Sequence, residues 1–355
     1  MYPLQRYVQS LSPGTYKRVN LLERLLCQAS TFPESVPHCQ NLRNISFHPD
    51  DAIGRMQRVY GRPILSSTQQ VRKLAAIESV AFKLATWSNE AGVPPPPRSA
   101  NYSKISFTHS AMRTWDLCRI IESAKTLKSF TSTVGGRAYG GIPFSCVTPI
   151  LESLWMHRQT LEELNLDIEG HSPRRELYHE EYQPSEEFLE GMTEDEQKEY
   201  KEQWADELHE IAAPETAPQR VSLKDFPQLK HLSIGAHTLC CLACGTGDGK
   251  GRIDSKYFSL VDHLPFTLES LRIYGRGQAV DDPYLEYESD LDVDTQIEQL
   301  AREKDAKLPG PKMLEGVDPR IPNEFTVKYW KDEDDPELFW RDPDDNRFDD
   351  IDDDL

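Results

Sequence analysis

Six short segments of the chain repeat one spacing of apolar residues: an apolar residue, two spacers, a second apolar residue, one spacer and a third. They are Leu42–Phe47, Tyr102–Phe107, Leu127–Ser132, Leu161–Leu166, Leu229–Ile234 and Leu268–Ile273, the third of which ends on a serine instead. Alternation of apolar and polar residues is typical of a strand with one buried face. Repeated short strands separated by helix-like stretches indicate a chain that stacks one supersecondary unit on the next.

Each of the first four segments follows a stripe of apolar residues at helical spacing. The stripes are Tyr16, Val19, Leu22, Leu25 and Leu26; Val71, Leu74, Ile77, Ala81 and Leu84; Trp115, Leu117, Ile120, Ile121 and Ala124; and Ile150, Leu151, Leu154 and Leu161. Thr148 and Pro149 read as the N-cap and first residue of the last of these helices. The sequence therefore predicts four helix–strand units in residues 1–170. The tetraproline Pro94–Pro97 is predicted to be an extended connector between a helix ending near Trp87 and the strand at Ser103.

The net charge of −19 is concentrated in two segments. Residues 171–216 carry fifteen acidic and four basic residues, and residues 331–355 carry thirteen and three, so the remaining body has 33 basic against 31 acidic residues. A nearly neutral body argues against binding to nucleic acid, which depends on clustered Lys and Arg. No apolar run is long enough to span a bilayer, and Met1–Arg6 does not begin a signal peptide, so we expect a cytoplasmic or nuclear protein without membrane association.

The first acidic segment, residues 171–218, is predicted to be a helical insertion. Thr193 and Glu196 form a capping-box pattern. Apolar residues then follow at helical spacing, namely Tyr200, Trp204, Leu208 and Ile211, which predicts an amphipathic helix from about Glu194 to Ile211. Two interpretations stay open, since such a helix could pack on the flank of the stack or present its acidic face to a basic partner.

The stack is predicted to resume over residues 219–323. This part contains the segments at Leu229 and Leu268, a helix from Tyr257 to Leu264, a helix from Asp294 that carries Ile297, Leu300 and Ala301, and a weak final strand within Lys312–Val317. Residues 324–355 are acidic with a few embedded aromatic residues, a composition typical of a disordered tail. The predicted organisation is thus N-terminal units, insertion, C-terminal units and tail.

Three of the segments, at Leu161, Leu229 and Leu268, resemble the irregular leucine-rich repeats of fungal F-box and leucine-rich-repeat proteins. The stretch Leu260–Tyr274 carries the most specific part of the resemblance. The resemblance implies an α/β leucine-rich-repeat-like solenoid, with short parallel strands on the concave face and helices on the convex face. The acidic helical insertion and the acidic tail would be additions to this solenoid. Glu169, His237 and Arg276 stand where regular repeats have asparagine, and no F-box segment is seen in the sequence.

Motifs for metal and phosphate chemistry are weak in this chain. His237, Cys240, Cys241 and Cys244 suggest a zinc site, but only one Cys-x-x-Cys pair exists, and buried free thiols on a helix are the alternative. The glycine-rich stretch 245–251 lacks the Ser or Thr that follows Gly-Lys in a phosphate-binding loop. Asp290, Asp292 and Asp294 begin like a calcium loop, yet Thr295 replaces the required glycine.

The remaining functional candidate is the surface that the stacked strands expose. Polar residues between the apolar positions are Asn44, Ser46, Ser106, Thr108, Glu163, Asn165, His231, Ser233, Ser270, Arg272 and Tyr274. Those from Glu163 to Tyr274 are the candidate protein-binding residues, although a merely solvated sheet face would look the same. The sequence therefore predicts a non-catalytic protein-recognition scaffold without a cofactor, which the resemblance extends to the substrate-binding part of an F-box-type ubiquitin-ligase receptor. The alternative is an enzyme or metal-binding protein with zinc near Cys240 and Cys244.

Overall fold

Eight parallel strands form one open sheet in the described part of this α/β protein. The computed structural model describes residues 28, 39, 41–47, 64–83, 85, 94–108, 110, 112–133, 147–168, 193, 197, 222–244, 258–275, 292–308, 310 and 313–321. The strands are β1 (Asn44–Phe47), β2 (Ser79–Lys83), β3 (Lys104–Thr108), β4 (Ser129–Thr133), β5 (Glu163–Asp167), β6 (His231–Gly235), β7 (Ser270–Tyr274) and β8 (Met313–Glu315). Their order across the sheet is their order along the chain, as in a solenoid-like stack.

The strands pair in a register that stacks apolar residues on apolar residues. The second residue of every strand belongs to one inner row, which comprises Ile45, Val80, Ile105, Phe130, Leu164, Leu232, Leu271 and Leu314. All are buried except Leu314, which is half-buried. Because side chains alternate along a strand, the first and third residues of each strand point to the opposite, open face.

A second inner row begins with three stacked phenylalanines. The rings of Phe47 and Phe82 lie 4.9 Å apart between centroids, and those of Phe82 and Phe107 are equally close. The row continues with Ser132 and Leu166, so the serine that interrupts the apolar pattern is itself buried.

Helices cover the inner face and share one continuous core with it. They are α1 (Ile64–Val71), α2 (Thr114–Ser123), α3 (Val147–Trp155), α4 (Ala236–Cys244) and α5 (Val293–Lys307), with short 3-10 helices at Leu223–Asp225 and Leu260–His263. From α2, Leu117, Ile120 and Ile121 are buried in that core together with the inner strand residues. None of the helices in the described part of the chain is long and apolar enough to cross a membrane.

Strand β2 corrects the predicted helix ahead of Tyr102. The apolar stripe from Val71 to Leu84 was expected to form one helix, but α1 ends at Val71 and β2 begins at Ser79. The spacing Ile77, Val80 and Phe82 repeats the strand pattern, so the described part of residues 1–170 contains five strands where four were predicted. Ile77 fits both the helical stripe and the strand spacing with Val80 and Phe82, so the local sequence allows either period, and sheet pairing decides between them.

Other predicted elements are found where the sequence placed them. Helices α2 and α3, helix α5 and the short strand β8 are confirmed. The proline stretch Pro94–Pro97 forms no regular structure, as expected for a connector. The helix predicted from Tyr257 to Leu264 is only a 3-10 helix over Leu260–His263.

Strands β5 and β6 are directly paired although 63 residues separate them, so the units on both sides of the acidic insertion belong to one sheet. Of the insertion, only Thr193 and Gln197 are described, and the Gln197 backbone N–H donates to the Thr193 carbonyl at 2.9 Å. The predicted helix from Glu194 to Ile211 and the tail 324–355 lie outside the described residues.

Candidate functional site

The seven candidate residues lie together on three neighbouring strands of the open face. We call this set the β5–β7 patch: Glu163, Asn165, His231, Ser233, Ser270, Arg272 and Tyr274. Register places Glu163, His231 and Ser270 in one row across the strands and Asn165, Ser233 and Arg272 in the next. All seven are exposed or half-buried. The structure therefore brings together residues that are up to 111 positions apart in the sequence.

A hydrogen bond between β6 and β7 joins two residues in the first row of the patch. The His231 ring nitrogen Nδ1 and the Ser270 hydroxyl oxygen are 2.8 Å apart, and either can be the donor, depending on the tautomer. A bond of this kind restricts both side chains before any partner arrives. Less conformational freedom then has to be lost on binding.

Tyr274 reaches across β6 to the far strand of the patch. Its hydroxyl donates to the Asn165 side-chain oxygen at 3.5 Å, at the limit of a hydrogen bond, although Asn165 belongs to β5 and Tyr274 to β7. The register partner of Tyr274 on the intervening strand is Gly235. Because glycine has no side chain, it leaves room for the phenol ring to cross β6.

Arg272 is held by the last strand of the sheet. Its Nε donates to the Glu315 carboxylate at 2.5 Å, and Arg272 and Glu315 are register partners on β7 and β8. Hydrogen bonds from the guanidinium to Glu315 and Tyr274 raise the pKa of Arg272 above its usual value. The arginine is thus a permanently charged, pre-positioned donor at the centre of a polar network.

The other predicted open-face residues are placed on the same face but outside the patch. Asn44 and Ser46 lie on β1, and Ser106 and Thr108 lie on β3. Glu315 and Gly235, which shape the patch, were missed, because their importance depends on which residues face them across strands. The residues of β2 were missed with the strand itself, although the spacing of Ile77, Val80 and Phe82 is a usable signal.

Comparison of the chain with family models, curated proteins and solved structures finds no match. Function therefore has to be inferred from the geometry of the open face and from the chemistry of its side chains.

The zinc hypothesis is not tested by this structure. His237, Cys240, Cys241 and Cys244 all fall in α4, where the side chain of Cys240 is buried and only 2% exposed. The side chains of the other three lie outside the described part. Within the described residues, no group of three or more His, Cys, Asp or Glu is placed to hold a metal ion. Zinc near Cys240 and Cys244 therefore stays a prediction.

The calcium-like motif has a structural role in α5. The Asp292 carboxylate accepts hydrogen bonds from the backbone N–H of Thr295 at 3.1 Å and from its hydroxyl at 2.6 Å. These bonds lower the pKa of Asp292 and cap the helix N-terminus. The glycine-rich stretch 245–251 lies outside the described residues.

A small apolar cavity at the C-terminal end of the core does not offer a ligand site. Its volume is about 10 Å³, and its lining includes Leu264, Leu300 and Leu308. That volume is near the minimum for one water molecule, and an apolar lining gives water no partner. The open face is consequently the best-supported candidate site among the described surfaces.

Proposed function

We propose that this chain is a non-catalytic scaffold that recognises another protein through the β5–β7 patch. The observation that carries the proposal is the asymmetry of the sheet. One face is buried under helices, and the other presents polar side chains that are already hydrogen-bonded across three strands.

The stack supports a leucine-rich-repeat-like solenoid as the finer form of this fold. Strands of three to five residues follow one another in chain order, and six of the eight described strands fit the apolar spacing, from which β4 departs only at Ser132. In arrays of that kind the exposed strand face is the concave binding surface. The β5–β7 patch would then lie on the inner wall of the array.

Arg272 and Tyr274 are the residues we expect to dominate binding. Arginine and tyrosine are enriched among interface residues whose truncation costs most, because each combines a large contact surface with directional hydrogen bonds. Here both are pre-positioned, Arg272 by Glu315 and Tyr274 by Asn165. Smaller neighbours such as Ser233 would add complementarity to the surface.

Affinity capture with patch variants tests this proposal. The variant R272A/Y274A should weaken binding of a partner captured by the full chain at least about 30-fold, as expected when two central contacts are lost. The control W115A/R302A truncates two exposed side chains on α2 and α5 and should bind normally. Equal binding by both variants, or loss only in the control, would refute recognition through the patch.

On the resemblance to F-box proteins, we further propose that the scaffold is the substrate-binding part of a ubiquitin-ligase receptor. A partner bound by the patch should then be less ubiquitylated in cells that carry only R272A/Y274A than in cells with the unaltered chain. Unchanged ubiquitylation despite lost binding would refute the ligase role but not the recognition role.

A further inference from the structure

A second surface on the open face has a different chemistry from the β5–β7 patch. We call it the lysine–hydroxyl patch: Lys83 on β2, Lys104 and Ser106 on β3, and Ser129 and Thr131 on β4. Lys104 pairs in register with Ser129 and Ser106 with Thr131, so these four residues are neighbours. Lys83 lies two positions beyond Ala81, the register partner of Ser106 on β2. Across β2, β3 and β4 the outward positions include two lysines and no acidic residue.

The donors of this patch lack partners within the described part of the chain. Neither lysine forms an ion pair there, and the hydroxyls of Ser106, Ser129 and Thr131 make no hydrogen bond to another described residue. The cations that directly precede β1 and β4 are paired, since Arg43 lies 2.9 Å from Glu78 and Lys128 lies 3.4 Å from Glu162. Two ammonium groups among short hydroxyl side chains therefore suit a carboxylate-rich, extended ligand.

We propose that the lysine–hydroxyl patch binds the acidic segment 331–355 of its own chain. That segment carries thirteen acidic and three basic residues, so its charge is opposite to that of the patch. Lys83 lies at the end of β2 and Lys104 at the start of β3, which separates them by about 13 Å along the strands. Carboxylates four residues apart in an extended segment match this separation, as at Glu333 and Glu337.

The acidic segment is long enough to reach the patch. The chain passes Ile321 at the C-terminal end of β7, where the Ile321 carbonyl accepts a hydrogen bond from Gly275 at 2.8 Å. From β7 to β2 is five strand spacings, or roughly 24 Å. The ten residues 322–331 span up to about 33 Å when extended. A tethered segment has an effective concentration on the order of millimolar, so weak contacts are sufficient for occupancy.

Zero-length carbodiimide cross-linking of the full chain tests the proposal, because it joins amines only to carboxylates in contact. Mass spectrometry should find Lys83 and Lys104 linked to acidic residues of 331–355. The variant Lys83→Gln should lower the yield of Lys104 links about threefold, as expected for one exposed charge contact. The control Lys73→Gln removes an exposed lysine outside the patch and should leave that yield unchanged. Thermal melting checks that both variants are folded.

Three outcomes would overturn the proposal. In a mixture of isotopically heavy and light chains, heavy–light links as frequent as heavy–heavy links would assign the segment to a second copy. Links from Lys83 and Lys104 to residues 171–216 would identify the other acidic segment as the occupant. Links spread evenly over Lys73, Lys125 and the patch lysines would show contact without specificity. The experiment does not involve the β5–β7 patch, so its result tests this proposal independently of the proposed function.

Discussion

At the scale of single residues, His157 connects three parts of the core. It is 4% exposed, and its Nε2 donates to the Ile121 carbonyl at the end of α2, at 3.0 Å. Its Nδ1 accepts from the Leu127 backbone N–H at 3.4 Å, so the ring is neutral with the proton on Nε2. Burial lowers the pKa of His157. The histidine that sequence reasoning left unnoticed is thus a structural residue between two neighbouring units.

His157 makes stability depend on pH in a definite direction. Its unfolded pKa is 6.5 and its folded pKa is lower, so the unfolded state takes up the proton first. The stabilising contribution is complete above pH 6.5 and decreases as the pH falls through the window below it. Urea unfolding at pH 7.5 and pH 5.5 should show a lower free energy of unfolding at the acidic pH.

The variant His157→Leu should lose about 1–3 kcal/mol at neutral pH, because two buried backbone groups lose their partner. It should also show a flatter pH dependence than the unaltered chain. Burial also lowers the pKa of His263, so the variant His263→Gln serves as a control for the pH dependence that His263 contributes. An identical pH slope with and without His157 would contradict this assignment.

At the scale of elements, the inner rows of the sheet couple one strand to the next. Phe82 is the central ring of the stack with Phe47 and Phe107, and it lies on the strand that the helical stripe concealed. In a stack each unit contacts only its neighbours, so the loss of one ring acts mainly on the adjoining strands.

The variant Phe82→Ala should destabilise the chain by about 3–5 kcal/mol, because it removes a buried ring and leaves a cavity. Phe82→Leu keeps most of the volume and should cost clearly less. Denaturant unfolding measures both, and hydrogen exchange should rise in β1, β2 and β3 before it rises in β6. Equal losses for the two variants, or exchange that rises uniformly, would show that the rings do not form a local coupling unit.

At the scale of the whole molecule, the described sheet and the excess negative charge lie in different parts of the chain. The described sheet and its single core belong to the nearly neutral body, and the excess negative charge belongs to residues 171–216 and 331–355. Contacts between tail and body would therefore be electrostatic and exposed, and each would contribute little to stability.

Weak tethered binding should add at most about 1 kcal/mol to the free energy of unfolding. Removal of residues 331–355 should therefore lower the melting temperature of a protein of this size by less than about 4 °C. Differential scanning calorimetry of the full and shortened chains makes the comparison. A drop of many degrees would mean that the segment completes the core, which would also exclude a merely electrostatic contact at the lysine–hydroxyl patch.

Much of the fold could be predicted because the inner face requires apolar residues at alternate positions. Six of the strands carried that pattern, and β8 was recognised as a weak case. Strand β2 was missed because Ile77 fits both a helical stripe and a strand. The seven residues of the candidate patch were also predictable, since they are the polar positions within recognised strands.

In the strands that it marks clearly, the sequence by itself determined which positions face the core and which face outward, because side chains alternate along a strand. Only the tertiary structure decided which of them meet. Asn165 and Tyr274 are 109 residues apart, and their contact depends on the pairing of β5 with β6 and of β6 with β7. Register between strands joined by long connections arises from packing of the whole core, which no local period specifies.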